Sequence, residues 1–375
     1  MSAVSFSSRV GSTPLVLLSA LSSATQCKIY GKAEFLNPGG SVKDRPALEM
    51  IESSERRGEL DPVTGDGLVI EATAGNTGIA LAHAANERGY RCVFYAAPST
   101  SPEKVEKLES LGAQVVVCPA VGNTEPLHFQ NQAKARAQAE REAGTRAIWT
   151  NQFDNLENSA VHRRTTGPEI WRQTEGQLHC FVTSCGTGGT LSGISQFLKS
   201  VAPSLQVYLV DPPGTVLEVD EQAHRVRVKS DAELAAQEEA LAALGCQTKT
   251  CLEGIGSGRL YDNLKEAVVD RLVRVTDEAA ISMVHYVMQN EGLFLGSSSG
   301  ANVLAAYLVA KHLGPGHTIV TILCDSGDSY RSKIFSPDWL QSKRISARLQ
   351  HPDPSDLSFT HSCFSLNPRL NLHSE

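Results

Sequence analysis

The chain has 375 residues, a formal net charge of −7 and apolar and charged fractions of 41% and 20%. That is the profile of a globular protein long enough to build two cores. The acidic balance and the lack of a dense basic tract argue against nucleic acid as a partner. No apolar run approaches the roughly 18 residues that a spanning helix needs, and Leu15-Val16-Leu17-Leu18 reads as too brief for a signal peptide. Nine scattered cysteines with no CxxC pair argue against a disulfide framework and structural zinc, and for a reducing compartment. The cytoplasm is the expected location, with the mitochondrion as the alternative.

In chain order, the first marked feature is Asn37-Pro38-Gly39-Gly40-Ser41-Val42-Lys43-Asp44-Arg45. Turn formers lead into a lysine, and behind it a helix-like run is predicted over 46–59. A lysine at the mouth of a helix sits near the positive end of the dipole, which disfavours its protonated form. An amine with suppressed charge is the side chain that forms Schiff bases with aldehydes. After it, apolar runs alternate with helix-like segments. Strands are predicted at 68–70, 92–95, 115–117 and 147–149, with helices at 76–88, 101–111 and 128–142 between them. A second set has strands at 180–183, 207–210 and 319–323, with helices at 190–200, 277–291 and 299–312. Alternation of this kind implies right-handed crossovers and mainly parallel sheets.

The expected organisation is therefore α/β, with two three-layer α/β domains facing a cleft. Residues 1–35 are expected to pack on the larger domain, 36–158 to form a smaller mobile domain, and 159–345 to form the larger one. Residues 218–244, rich in Ala, Glu and Gln, read as an exposed helical insert. Residues 346–375 are rich in Pro, Ser, His and Asn and read as a mobile tail.

Two glycine-bearing turns follow strands and open helices. Cys185-Gly186-Thr187-Gly188-Gly189-Thr190 lets backbone N–H groups close on an anion, and Thr187 and Thr190 add hydroxyls. An ordinary Gly-rich turn is the alternative. It is not a dinucleotide fingerprint, because Leu191 stands where the third glycine belongs. Thr73-Ala74-Gly75-Asn76-Thr77-Gly78 has the same design and would suit a carboxylate, although Thr and Asn are also common helix caps. Gly296-Ser297-Ser298-Ser299-Gly300 reads equally well as plain capping. His83, His162 and His285 lack metal-ligand spacing and read as structural or surface residues. No metal site is expected.

Taken together with Gly11-Ser12-Thr13-Pro14-Leu15-Val16, Asn151-Gln152-Phe153, Thr165-Thr166-Gly167-Pro168-Glu169 and Glu253-Gly254-Ile255-Gly256, these stretches resemble the cysteine synthase (O-acetylserine sulfhydrylase) and cystathionine β-synthase family. The resemblance is collinear from Gly11 to Lys343. Asn151 to Asn155 and Ile322 to Asp325 look most like its cysteine-synthase-2-like branch. It implies a tryptophan-synthase-β-like fold (fold type II), pyridoxal 5'-phosphate as cofactor and a homodimer. By resemblance, Lys43 bonds the cofactor and removes the substrate's Cα proton. Gly186, Thr187, Gly188, Gly189 and Thr190 hold its phosphate, Asn76 its 3′ oxygen, and Ser298 faces the ring nitrogen. Thr73, Ala74, Gly75, Thr77 and Gln152 grip the substrate carboxylate. The implied reaction is β-replacement through an aminoacrylate, giving cysteine from O-acetylserine and sulfide.

Leaving group and nucleophile are not written in these motifs. Cystathionine synthesis, cysteine desulfhydration and a specialised amino-acid synthesis stay open, as does a catalytically silent paralogue acting as a binding protein. Ala74 stands where many members have serine, which removes one hydroxyl from the carboxylate loop. Cys185 replaces a usual apolar residue and reads as a packed thiol.

Overall fold

A computed structural model describes residues 5–73, 75–98, 100, 102–243 and 249–345. Ala74 and the tail 346–375 lie outside the described residues. Among the described residues twelve strands follow in chain order: β1 Leu15–Leu17, β2 Lys28–Ala33, β3 Leu68–Ala72, β4 Arg91–Ala96, β5 Gln114–Val117, β6 Ala147–Trp149, β7 Cys180–Ser184, β8 Gln206–Asp211, β9 Leu217–Asp220, β10 Arg225–Val228, β11 Arg271–Arg274 and β12 Thr318–Leu323. One sheet has the order β5-β4-β3-β6 and is parallel throughout. The other runs β1-β2-β12-β7-β8-β11, parallel except for β1 at its edge. Helices between the strands cover both, so the central strands are buried on two faces and read as continuous apolar runs.

Most of the predicted elements form with small shifts at their ends. The run after Lys43 is helical over Asp44–Arg56 rather than to 59, because Gly58 takes φ +72° and turns the chain away. The region 218–244 needs correction. Alternating Leu217-Glu218-Val219-Asp220 and Arg225-Val226-Arg227-Val228 pair as an antiparallel hairpin, which buries Leu217, Val219 and Val226. Only Asp231–Ala243 is helical. The Ala- and Glu-rich composition of that helix masked the two-residue period ahead of it.

The N-terminal segment also divides. Residues 15–33 supply β1 and β2 to the six-stranded sheet. Phe6 instead stacks on His83 at 5.3 Å, and the Ser7 N–H and hydroxyl donate to the Glu87 carboxylate at 3.0 and 2.9 Å. Both partners belong to the helix Asn76–Arg88, beside the four-stranded sheet.

A buried ionic network joins β2, the helix behind Lys43 and the helix Thr166–Gln173. Lys32 Nζ donates to Thr13 O, to Glu169 Oε2 at 2.6 Å and to Gln173 Oε1 at 3.0 Å. Arg45 donates to Glu34 at 2.8 and 2.9 Å and to Glu169 at 2.8 Å twice. Burial alone favours a neutral Lys32, but its three acceptors match the three donors of an ammonium, and the pairing is ionic. Burial raises Glu169, yet its bonds and charges with Arg45 and Lys32 outweigh that and bring it down to about 2.

Removing one partner strands the other charge. Glu169→Gln is therefore expected to destabilise the protein by about 3–5 kcal/mol at pH 7 in urea unfolding. Glu169's folded value lies below the unfolded one, so its contribution is present above its ordinary value of 4.5 and is lost as pH falls toward about 2. The gap between wild type and variant should narrow across that window, and a pH-independent gap would contradict the ionic assignment.

Candidate active site

The carboxyl ends of β3, β7 and β12 lead into the loops of one cavity, of about 320 Å³. Ligands in open parallel sheets collect at such ends. Lys43 enters the cavity from the turn just ahead of the helix Asp44–Arg56. Its peptide is registered on the end of β12, because the neighbouring Val42 N–H donates to Cys324 O at 2.8 Å. Asp44 folds back to accept the Gly39 N–H at 2.5 Å, and burial raises its carboxyl to about 7. These contacts fix the turn that aims the lysine.

Lys43 lines the cavity and its Nζ lies 3.5 Å from Thr187 Oγ1. Among the described residues no carboxylate comes within salt-bridge distance of it. Burial lowers its proton affinity, against smaller opposing contributions from Cys324, Asp325 and Cys185. An amine held this way loses its proton readily and becomes a nucleophile.

Beyond Ser184 the chain runs through Gly186 and Gly188 into the helix Gly189–Val201. A Cβ at Gly186 would stand 2.2 Å from Gly254 O, so only glycine allows the loop to pass there. Gly188 takes φ +87° and turns the backbone into the helix. The N–H groups of Gly186 to Thr190 meet no protein acceptor among the described residues, as expected where a helix begins. They form a ready anion cup. Asn158 Nδ2 donates to Thr187 Oγ1 at 3.0 Å, and the His162 ring, fully buried, sits 3.3 Å from Thr190 Oγ1. Burial, with Arg45 and Lys43 nearby, holds that imidazole well below its ordinary value and hence neutral.

On the facing wall, Thr73 Oγ1 accepts the N–H groups of Gly75 and Gly78, both at 3.3 Å. Thr77 donates to Gln152 Oε1 at 2.6 Å, while Gln152 Nε2 donates to Ala72 O at 3.1 Å. Buried Glu71 anchors this corner by accepting the Gln152 N–H at 3.1 Å and the Thr150 hydroxyl. Ser298, second residue of the helix Ser297–Leu313, closes the far end beside Cys324.

The cavity thus gathers Lys43, Thr73, Gly75, Asn76, Thr77, Gln152, Gly186, Thr187, Gly188, Thr190 and Ser298. Gly189 does not line it; the residue packs on Asn158, whose Oδ1 is 2.1 Å from where a Cβ would stand. Sequence reasoning missed Lys104, Glu253, Asp325 and Tyr330, which also line the cavity. Lys104 pairs with one oxygen of Glu253, Lys333 holds the other at 2.6 Å, and the Lys104 ammonium lies 4.9 Å from the Tyr330 ring centroid. Glu253-Gly254-Ile255-Gly256 was a visible signal, but nothing local named its partners. Cys185 is buried and lines the wall as a neutral thiol.

The residues fit pyridoxal 5'-phosphate. N–H donors without protein acceptors among the described residues can take a phosphate, a low-affinity amine stands beside them, and Phe153, Leu191, Ile255 and Tyr261 supply apolar walls. Gly186→Ala is expected to push the loop off Gly254 and to weaken binding of this cofactor by about tenfold or more, as overpacking strain implies. Equilibrium dialysis against the apoprotein checks this, and unchanged affinity would remove the loop from the site.

A family model described as pyridoxal-phosphate dependent enzyme matches residues 6–325. Cysteine synthase 1 of Neurospora crassa is 43% identical over 339 residues, covering 90% of this chain and 84% of its own. Cysteine synthase 2 of Schizosaccharomyces pombe is 42% identical over 355 residues, covering 93% and 87%. The crystal structure of O-ureido-L-serine synthase aligns with a TM-score of 0.73 at 31% identity, covering 90% of this chain and 98% of that one. With the match spanning most of the sequence and the fold agreeing, the chain belongs to the family of pyridoxal-phosphate-dependent enzymes.

Proposed function

We propose that this enzyme is a cysteine synthase, replacing the leaving group of an activated serine, O-acetylserine, with sulfide. The observation that carries the reading is Lys43, an amine of lowered proton affinity in one cavity with the Gly186–Thr190 turn and with Thr73, Gly75, Thr77 and Gln152. Pyridoxal 5'-phosphate supplies an electrophilic carbon and an electron sink for the substrate's α-carbon.

The chain's own residues divide the remaining tasks. Gly186 to Thr190 hold the phosphate through backbone N–H groups and two hydroxyls. Asn76 donates to the ring's 3′ oxygen. Thr73, Gly75, Thr77 and Gln152 take the substrate carboxylate, with Ala74 expected beside them. Lys43 Nζ removes the α-proton once its amine is neutral. Ser298 offers the ring nitrogen a neutral hydroxyl rather than a carboxylate, which limits carbanion stabilisation and favours proton loss coupled to departure of a β-group. Phe153 and Tyr261, whose rings meet at 4.6 Å on the cavity wall, shield the site from water.

Residues 36–158 form the smaller domain in this reading and close on the bound carboxylate. Contacts across the cleft, from Lys104 to Glu253 and from Arg259 to Asp154 at 2.6 Å, give closure something to make and break. The described residues include no helix long and apolar enough to cross a membrane, and seven of the cysteines are unpaired thiols, which suits the cytoplasm or the mitochondrial matrix. The assembly is proposed to be a homodimer.

Purified enzyme supplied with O-acetylserine and sulfide is expected to release cysteine. Lys43→Ala should lower that rate by at least about 10³-fold, in line with loss of a nucleophile that is also the base. Gln152→Ala should mainly raise KM for O-acetylserine, by roughly tenfold, as loss of a hydrogen bond to a charged group implies. Faster formation of cystathionine from serine and homocysteine would overturn the assignment of substrate and leave the class of chemistry standing.

A further inference from the structure

Three side chains set around the cofactor in the proposed function, Lys43, Asn76 and Ser298, come from separate segments, and all three segments register on Asp325. Ser41, two residues before Lys43, forms a β-bridge with Asp325. The Gly296 N–H, at the head of the helix that carries Ser298, donates to Asp325 O at 3.1 Å. The side chain then crosses to the third segment, where Oδ2 accepts from Asn76 Nδ2 at 2.7 Å and from the Tyr330 hydroxyl at 2.7 Å.

This carboxylate is 3% exposed, and its other oxygen has no protein partner. Leaving a buried acceptor unmatched is costly, yet the fold makes room for it. A Cβ at Gly296 would stand 2.2 Å from Asp325 Oδ1, so glycine there clears the space that the carboxylate occupies. Tyr330, itself 2% exposed, donates to the same oxygen as Asn76 and adds a second hold on the carboxylate.

Burial raises the Asp325 carboxyl, but its Oδ2 receives two donors, from Asn76 and from Tyr330, and acts there as an acceptor. Facing Asn76, it can be satisfied only by the NH₂ end of the amide, which settles which way that amide is turned. One N–H is taken by Asp325, and the second remains for the cavity. The cofactor's 3′ oxygen is an acceptor and needs such a donor.

We propose that Asp325 is the positioning residue for Asn76: its carboxylate turns the amide so that an N–H faces the 3′ oxygen of pyridoxal phosphate, and its backbone holds the Lys43 and Ser298 segments in register with it. The inference rests on the proposed function for the place of the cofactor. Asp325 lines the same cavity and acts on the cofactor through Asn76.

The test is a double-mutant cycle on cofactor affinity, read by equilibrium dialysis of apoprotein against pyridoxal 5'-phosphate, with the visible absorbance band of the loaded protein as second readout. Asp325→Ala is expected to raise Kd about tenfold, the size of one well-placed hydrogen bond, and to change the ratio of the visible and near-ultraviolet bands. Asp325→Asn, which keeps an acceptor oxygen, should recover most of the affinity. In an Asn76→Ala background the same Asp325→Ala change should cost less than about twofold, because residues acting through one another are not additive. If the alanine variant does not fold, Asp325→Ser, too short to reach Asn76, replaces it in the cycle. Equal losses in both backgrounds, or an unchanged spectrum and affinity, would overturn the positioning role. Failure of the wild-type protein to bind the cofactor at all would instead sink the functional reading on which it stands.

Discussion

The structure depends on placing an amine in a cleft without giving it a counter-ion. Lys43 has a hydroxyl at 3.5 Å and, among the described residues, no carboxylate within pairing distance. Desolvation therefore works against its charge. A lysine in that position tends to swing out to solvent unless its backbone is held, and here it is held from both sides. Val42 hangs on the end of β12, and Arg45 is locked into Glu34 and Glu169. The charge pairing that Lys43 lacks is found around Arg45, two residues on, and around Lys32 of β2.

From that constraint the arrangement of the two sheets follows. Each directs strand carboxyl ends at the same space, and each contributes what its loops can offer. The six-stranded sheet brings a glycine-lined turn whose N–H groups have no protein acceptor among the described residues and a helix start bearing Ser298. The four-stranded sheet brings Thr73, Asn76 and Thr77 with Gln152 tied across to Thr77 at 2.6 Å. Neither half contains a complete site. Polar contacts across the gap, Asn76 to Asp325 and Lys104 to Glu253, join groups from the two sides, so chemistry and closure are linked by the same residues.

How legible this was in the sequence varied with the range of the interaction. The helix Asn76–Arg88 and the strand Ala147–Trp149 could be read off directly, since both have clean local patterns and marked ends. β2 was not, because Gly31 and the buried Lys32 interrupt its apolar run, and that charge is explained only by Glu169, 137 residues on. The hairpin β9–β10 was hidden by the helix-forming composition that follows it. In the site, the glycine turns and Lys43 stood out as local motifs, whereas Asn76 and Ser298 read equally well as helix caps and took their roles from the family resemblance. Glu253 and Asp325 lay in recognisable stretches that did not disclose their contacts. The Asn76 partner of Asp325 and the Lys104 partner of Glu253 lie 249 and 149 residues away, and no spacing rule reaches that far.

The central claim is that the amine of residue 43 is the one that reacts with the cofactor's aldehyde. Borohydride reduction of the cofactor-loaded protein, followed by proteolysis and mass mapping, tests it directly. The reduced pyridoxyl group is expected on the peptide that carries Lys43 and on no other lysine. A label on Lys104 or Lys333, or none on any lysine, would contradict it.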